Sequence, residues 1–251
     1  MNTFVIQKPR LQLPAVAGTI ERRLLVNFRC RPDVLQNLLP TPFRPKLVRG
    51  WGMAGICLIR LGGIRPAFLG NIGGFGSENA AHRIAVEWDE NGTTREGVFI
   101  PRRDTNALLN RLMGGRFFPG VHQAAEFRVN ETENQFALEM RSKDGVHFVC
   151  VEARVADRLP GNSIFNSLEE ASEFFRGGSL GWSAREQDNA LDGLELGCHE
   201  WKMEPLAVER VESSFFGDRQ LFPDGAALFD SAFLMRNIPH VWNARGRLKT
   251  L

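Results

Sequence analysis

The side chains that could carry covalent or acid–base chemistry are few in this sequence, and most stand alone. Lysine occurs only at positions 8, 46, 143, 202 and 249, leaving 26 arginines, and tyrosine is absent beside 19 phenylalanines. Amine chemistry therefore has five candidates, and no phenol can serve as a general acid or oxyanion donor. The four cysteines, at 30, 57, 150 and 198, form no C-x-x-C pair, so neither a zinc site nor a disulfide framework is indicated. Cys198 and His199 are neighbours in a strand pattern, which points them to opposite faces and denies them a thiolate–imidazole pair. The five histidines lack H-E-x-x-H or comparable ligand spacing, and no metal or other cofactor is expected. His82 and His147 fall on apolar strand faces, which suits a hydrogen-bonded core histidine or, in a barrel, one that lines a cavity.

Two glycine-rich motifs invite catalytic readings and fail their context. The G-x-S-x-G at 177–181 needs a strand before its serine and a helix after it, but the order here is helix then strand or loop. The GNIGGFG run at 70–76 has neither the lysine and hydroxyl of a phosphate loop nor a following helix, and reads as a loop between strands. Glu78-Asn79 is more promising. It stands where a loop enters a strong strand pattern, the kind of junction at which a barrel rim places functional groups. Arg22-Arg23 opens the first strand, and alternation must turn one of the two inward.

The elements that must position these groups are mostly strands. Residues 81–89 alternate, with His82, Ile84, Val86 and Trp88 on one face, and Asn91-Gly92 supplies a two-residue hairpin turn before 94–100 returns. A second hairpin turns at Asp144-Gly145. Further strands are expected at 22–29, 53–61, 123–129, 194–203, 206–216 and 227–235. Helices are short: 33–39 after Pro32, 105–113 capped by Asp104, and a capping box at 167–170 opening a helix to Arg176. Without β-α-β alternation, this pattern predicts a mainly β (α+β) fold: a single domain over 1–251, its antiparallel sheet closed into a barrel with helices outside.

Composition narrows the partners. Of 251 residues, 43% are hydrophobic and 24% charged, and the formal net charge is only +2, which makes no electrostatic case for nucleic acid. The longest apolar run, 52–59, is far short of the roughly 20 residues that span a bilayer. No signal-peptide pattern precedes Pro14, so a cytoplasmic location without a membrane partner is expected; a homo-oligomer stays open.

Four segments together resemble the acetoacetate decarboxylase-like superfamily. They are 21–44 (ERRLLVNFRCRPDVLQNLLPTPFR), 73–88 (GGFGSENAAHRIAVEW), 115–124 (GRFFPGVHQA) and 229–242 (FDSAFLMRNIPHVW), the last closer to the uncharacterised YqjF-like bacterial branch. The resemblance implies a partly open, cone-like β-barrel with a central cavity. It also implies a functional glutamate at Glu78, with the first-strand arginine falling near Glu21, beside Arg22 and Arg23. The decarboxylases use a lysine that condenses with a β-keto acid, but after Phe118-Pro119 this chain reads Gly120, Val121, His122, and the amine is missing.

Three readings follow. In the first, an enzyme on keto or carboxylic acids works without an imine, with Glu78 and His122 as the acid–base pair. Arg22, Arg23, Asn79 and His82 then bind a small, carboxylate-bearing ligand. Strict alternation opposes His122, grouping it with Glu126 and Arg128 away from the apolar Ala125, Phe127 and Val129; a kink at Gly120 or a hydrophilic lumen would bring it inside. In the second, the cavity binds the ligand through arginine without catalysis. In the third, the barrel is filled and the protein is structural. Incubation with acetoacetate and borohydride should leave the intact mass unchanged; an adduct on any lysine would restore the decarboxylase reading.

Overall fold

The computed structural model describes residues 6–7, 15–70, 73–108, 120–184, 190–198 and 200–249. A two-residue β1 (Ile6–Gln7) precedes the long β2 (Val16–Cys30). Helix α1 (Pro32–Gln36) has proline in its first turn, where the missing N–H is no loss. Short β3 (Arg44–Pro45) and β4 (Leu47–Val48) then lead into β5 (Trp51–Pro66), β6 (Phe75–Glu90) and β7 (Thr93–Thr105). The expected Asn91-Gly92 turn joins β6 to β7, with φ of +50° and +77° matching a type I′ hairpin and Glu90 opposite Thr93. The second expected hairpin joins β9 (Gln135–Ser142) to β10 (Phe148–Val155), after β8 (His122–Glu131). Helix α2 (Leu168–Gly177) opens as its sequence dictates, the Ser167 hydroxyl accepting from the Glu170 N–H at 3.2 Å. Strands β11 (Leu180–Ala184), β12 (Ala190–Cys198), β13 (Glu204–Ser213) and the 23-residue β14 (Ala227–Lys249) complete the chain.

Some boundaries differ from expectation. Asp104 and Thr105 do not cap and start a helix; they end β7, where Asp104 takes both nitrogens of an Arg102 fork. Residues 106 and 107 are not helical and 108 is; residues 109–113 of that expected helix and Phe118-Pro119 lie outside the described residues, as do His199 and positions 71–72 of the glycine-rich run. Strands β2 and β14 extend well beyond 22–29 and 227–235, because each pairs along both edges.

Among the described residues the fourteen strands join in one sheet, mainly antiparallel and closed as a barrel. Two pairings, β7 with β8 and β7 with β11, are parallel, and they matter. Strand β7 offers one edge to β6 and the other to two strands at different heights: β11 at 98–100 and β8 at 103–105. Strand β14 does the same, with β2 on one edge and both β13 and β12 on the other. The sheet therefore forks twice. A wall of β14, β2, β5, β6 and β7 is closed on one side by β8, β9, β10 and β13, a ring of nine strands, and on the other by β11 and β12.

Both faces of that wall are consequently buried. One carries Leu24, Val26, Ile56, Leu58, Ile84 and Val86, packed against Leu138, Met140 and Val151 of the far side of the nine-strand ring. The opposite face carries Leu25, Met53, Cys57, Ile59 and Ala85, packed with Phe165 and Phe175 beside α2 and with Leu196 and Trp242. This explains the near-continuous apolar run in β5, where alternation would otherwise require a polar side.

His82 sits in the first of these cores, 1% exposed, with the His147 and Phe215 rings centred 5.1 and 4.9 Å away and neither ring nitrogen partnered. Burial, then the neighbouring His147 and Arg102, push its pKa down to about 3. An unfolded imidazole titrates near 6.5, roughly its ordinary value, so the unfolded chain takes up the proton first. This contribution to stability is complete above pH 6.5 and is lost as pH falls towards the folded value. Denaturant midpoints at pH 7.5 and pH 5 should show His82→Leu losing less stability than the parent, by about 2 kcal/mol; equal losses would contradict the assignment.

Candidate functional site

Neighbouring positions in the shared wall face opposite interiors, and polar residues occur on both. On the nine-strand side, cross-strand register sets Arg22 of β2 beside Arg60 of β5, and Arg60 beside Glu78 of β6. Glu131, at the end of β8, reaches across the ring and closes the group. Arg22 pairs with Glu78 and, at 3.1 Å, with Glu131; Arg60 Nε donates to Glu78 at 2.6 Å, and its Nη1 donates to Glu131. Arg22 and Glu78 are buried, while Arg60 and Glu131 are half-buried. Burial holds the Arg22 pKa below its usual value, with Glu78 and then Glu131 working against that. Two cations and two anions thus satisfy one another. The cost of desolvating them is offset only while all four are present.

One residue along each strand, the arrangement inverts. Arg23, Ile59, Asn79 and Thr105 lie in register on the other face, and the first three line cavities there. A cavity of about 110 Å³ is lined by Arg23, Cys57, Arg83, Arg103, Phe175 and the turn at Gly178-Ser179, among others. A second, of about 80 Å³, shares Ile59, Ala81, Arg103, Leu194 and Trp242 with it and adds Asn79 and His122. We treat the two as lobes of one site, joined at Arg103.

The three arginines of this site are held by neutral groups. Arg23 Nε donates to Cys57 Sγ at 3.1 Å. Arg83 donates to the Asn27 side-chain oxygen and lies over the Phe175 ring, 5.0 Å from its centroid, with its Nε unpartnered. Arg103 Nε donates to Ser183 Oγ at 3.2 Å. Among the described residues, no carboxylate lies within ion-pair distance of any of the three. Burial lowers both Arg83 and Arg103 to about 10, so each stays cationic at neutral pH. Lys46 also reaches the larger lobe, but its ammonium pairs with Glu96 and stands 4.5 Å over the Phe174 ring.

His122 shows why alternation misled. It does lie on the outer face of the nine-strand ring with the exposed Glu126 and Arg128, as its spacing requires. Where β11 and β12 cover that outer face, however, outside becomes inside. Gly120, with φ of +82°, turns the chain into β8, and a Cβ there would meet Ser183 at 2.8 Å. His122 Nδ1 is 3.2 Å from the Gly120 carbonyl, which can only accept, so Nδ1 carries the proton and Nε2 is the bare nitrogen. Burial, then Arg103, push its pKa down to about 3.

The residues singled out in the sequence are therefore divided. Arg22 and Glu78 meet in the ion ring; Arg23, Asn79 and His122 line the cavity; His82 lies in the dry core. Glu78 and His122 face opposite sides of the wall and do not form the expected acid–base pair. Ser179 of the G-x-S-x-G lies at the cavity wall, but after a helix and before a strand, the reverse of a nucleophile elbow. Sequence reasoning missed Arg60, Glu131, Arg83, Arg103 and Cys57. Arg60 and Arg83 had a signal, each a charge interrupting an apolar strand. Among the described residues, no group of three His, Cys, Asp or Glu side chains could hold a metal, and no helix is long and apolar enough to cross a membrane.

No family model matches the sequence, and no curated protein matches it. Solved structures do match. The acetoacetate decarboxylase of Legionella pneumophila subsp. pneumophila str. Philadelphia 1 superposes with a TM-score of 0.59 at 13% identity, over 99% of this chain and 89% of that one. An acetoacetate decarboxylase-like enzyme from Sphingomonas wittichii RW1 gives 0.59 at 13%, over 98% and 100%. The enduracididine biosynthesis enzyme MppR, complexed with pyruvate, gives 0.57 at 11%, over 97% and 91%. This chain has the acetoacetate decarboxylase-like fold.

The two faces should respond oppositely to charge removal. Glu78→Gln weakens the pairing of the buried Arg22 and the half-buried Arg60 and should cost about 3 kcal/mol in urea denaturation. Arg103→Gln removes an uncompensated charge and should leave the midpoint unchanged or raise it; a comparable loss from both would mean that Arg103 is structural.

Proposed function

We propose that this protein binds a small keto or carboxylic acid in the arginine-lined cavity and acts on it without forming an imine. The observation that carries this reading is the convergence of Arg23, Arg83 and Arg103 on one cavity with no carboxylate partner among the described residues. A folded protein keeps buried guanidiniums uncompensated only at a cost in stability, and the forked geometry of arginine suits the two oxygens of a carboxylate. MppR, which shares the fold, is known complexed with pyruvate, and this supports the ligand class.

In this reading Arg23 and Arg83 fix the carboxylate, and Asn79, whose amide donates to Ser77 and whose oxygen accepts from Thr105, contributes to ligand binding by shaping the smaller lobe. His122 is the acid–base group: its Nδ1 is tied to Gly120, and its uncharged Nε2 becomes a stronger base, able to take a proton from carbon next to a carbonyl, when a bound carboxylate answers Arg103, the cation that helps hold its pKa down. Lys46 is unsuited to imine formation, since Glu96 and the Phe174 face engage its ammonium. Glu78 anchors the wall through the ion ring and carries no proton in turnover. The protein belongs with the YqjF-like bacterial branch on the strength of 229–242, acts in the cytoplasm as one domain, and needs no cofactor.

Two measurements test this. Pyruvate and acetoacetate should raise the melting temperature where propionamide does not, and Arg83→Met should weaken their binding at least tenfold. In deuterated water the protein should exchange the methyl protons of pyruvate, and His122→Asn should abolish exchange while retaining binding. Binding without exchange in the parent would leave a non-catalytic binding module.

A further inference from the structure

The cavity carries more charge than one carboxylate can answer. Arg23 and Arg83 lie in the larger lobe, where the charge of Arg23 depresses the Arg83 guanidinium after burial and Cys57 have acted on it. Arg103 stands at the junction of the lobes, donating to the Ser183 hydroxyl. Asp104 touches the smaller lobe, but Arg102 occupies its carboxylate. A ligand with one negative charge would neutralise one guanidinium and leave the others buried and unmatched.

From this charge count and from the division of the cavity, we infer that the natural ligand is a small dicarboxylate with its two carboxylates held apart, one between Arg23 and Arg83 and one on Arg103. The inference rests on the reading above that this cavity is the ligand site. Size agrees. The lobes, of about 110 and 80 Å³, each exceed several times over the roughly 10–15 Å³ that one water needs, so each has room for one carboxylate end of a four- or five-carbon diacid. A compact dianion such as inorganic phosphate would sit in one lobe and leave the charge in the other unanswered. The smaller lobe presents His122 beside Arg103, so the carbon next to a 2-oxo group near that end would meet the bare imidazole nitrogen, which can accept its proton.

Calorimetric titration of the full chain with propionate, pyruvate, succinate, 2-oxoglutarate and inorganic phosphate tests this directly. Succinate and 2-oxoglutarate should bind at least tenfold more tightly than propionate and pyruvate, and phosphate should bind no better than the monoacids. Arg103→Gln should abolish the preference for diacids over monoacids. Its urea midpoint, measured without ligand, confirms that the variant is folded, and Arg103→Lys should recover part of the preference. Equal affinities for mono- and diacids, or tightest binding of phosphate, would overturn the dicarboxylate inference and leave the site intact. Failure of every carboxylate to bind would overturn the site itself, and the inference with it.

Discussion

A sheet wall buried on both faces is the constraint on which the rest of this structure depends. Strands β14, β2, β5, β6 and β7 serve two interiors at once, because β7 and β14 each share an outer edge between two partners. Such a wall has no solvent side on which to put its polar residues, so each polar side chain it carries must be satisfied from within. Edge strands and their aggregation risk are reduced by the same forking, since the closing strands pair on both sides.

The wall meets this requirement in two different ways, one on each face. On the nine-strand side, Arg22, Arg60, Glu78 and Glu131 come from four strands and cancel one another, tying the wall to the far side of its ring. On the other side, Arg23, Arg83 and Arg103 are left with a thiol, an amide and a hydroxyl. Low dielectric surroundings strengthen a matched charge and penalise an unmatched one by the same physics. The matched face is therefore where the fold gains order, and the unmatched face is where a ligand has the most to contribute.

The hairpins at 91–92 and 144–145, the capping serine at 167 and the proline that opens α1 were legible in the sequence, as was the mainly β barrel that they imply. Each depends on a few neighbouring residues: a backbone angle that asparagine or glycine tolerates, or a hydroxyl within reach of a free N–H. The helix expected after Asp104 shows the limit. Its capping residue met a local rule, but pairing with β6 and β8 kept 104–105 in a strand.

Alternation assigned the faces correctly and could not name them. It put Arg22 and Arg23 on opposite sides of one strand, and it set His122 apart from the apolar residues of β8. Whether a face meets solvent, a dry core or a cavity depends on which strands pass over it, and those partners lie far away in the chain: β11 covers β7 from 80 residues on, and Glu131 reaches Arg22 across 109. The sequence by itself determined the local elements and the side of the strand to which each side chain points, because both follow from contacts within a few residues. Only the tertiary structure decided that the sheet forks, that the outside of one ring is the inside of another, and that three arginines scattered over 80 positions share a cavity without a counter-charge among the described residues. Those facts depend on long-range pairing, which leaves no local pattern in the chain.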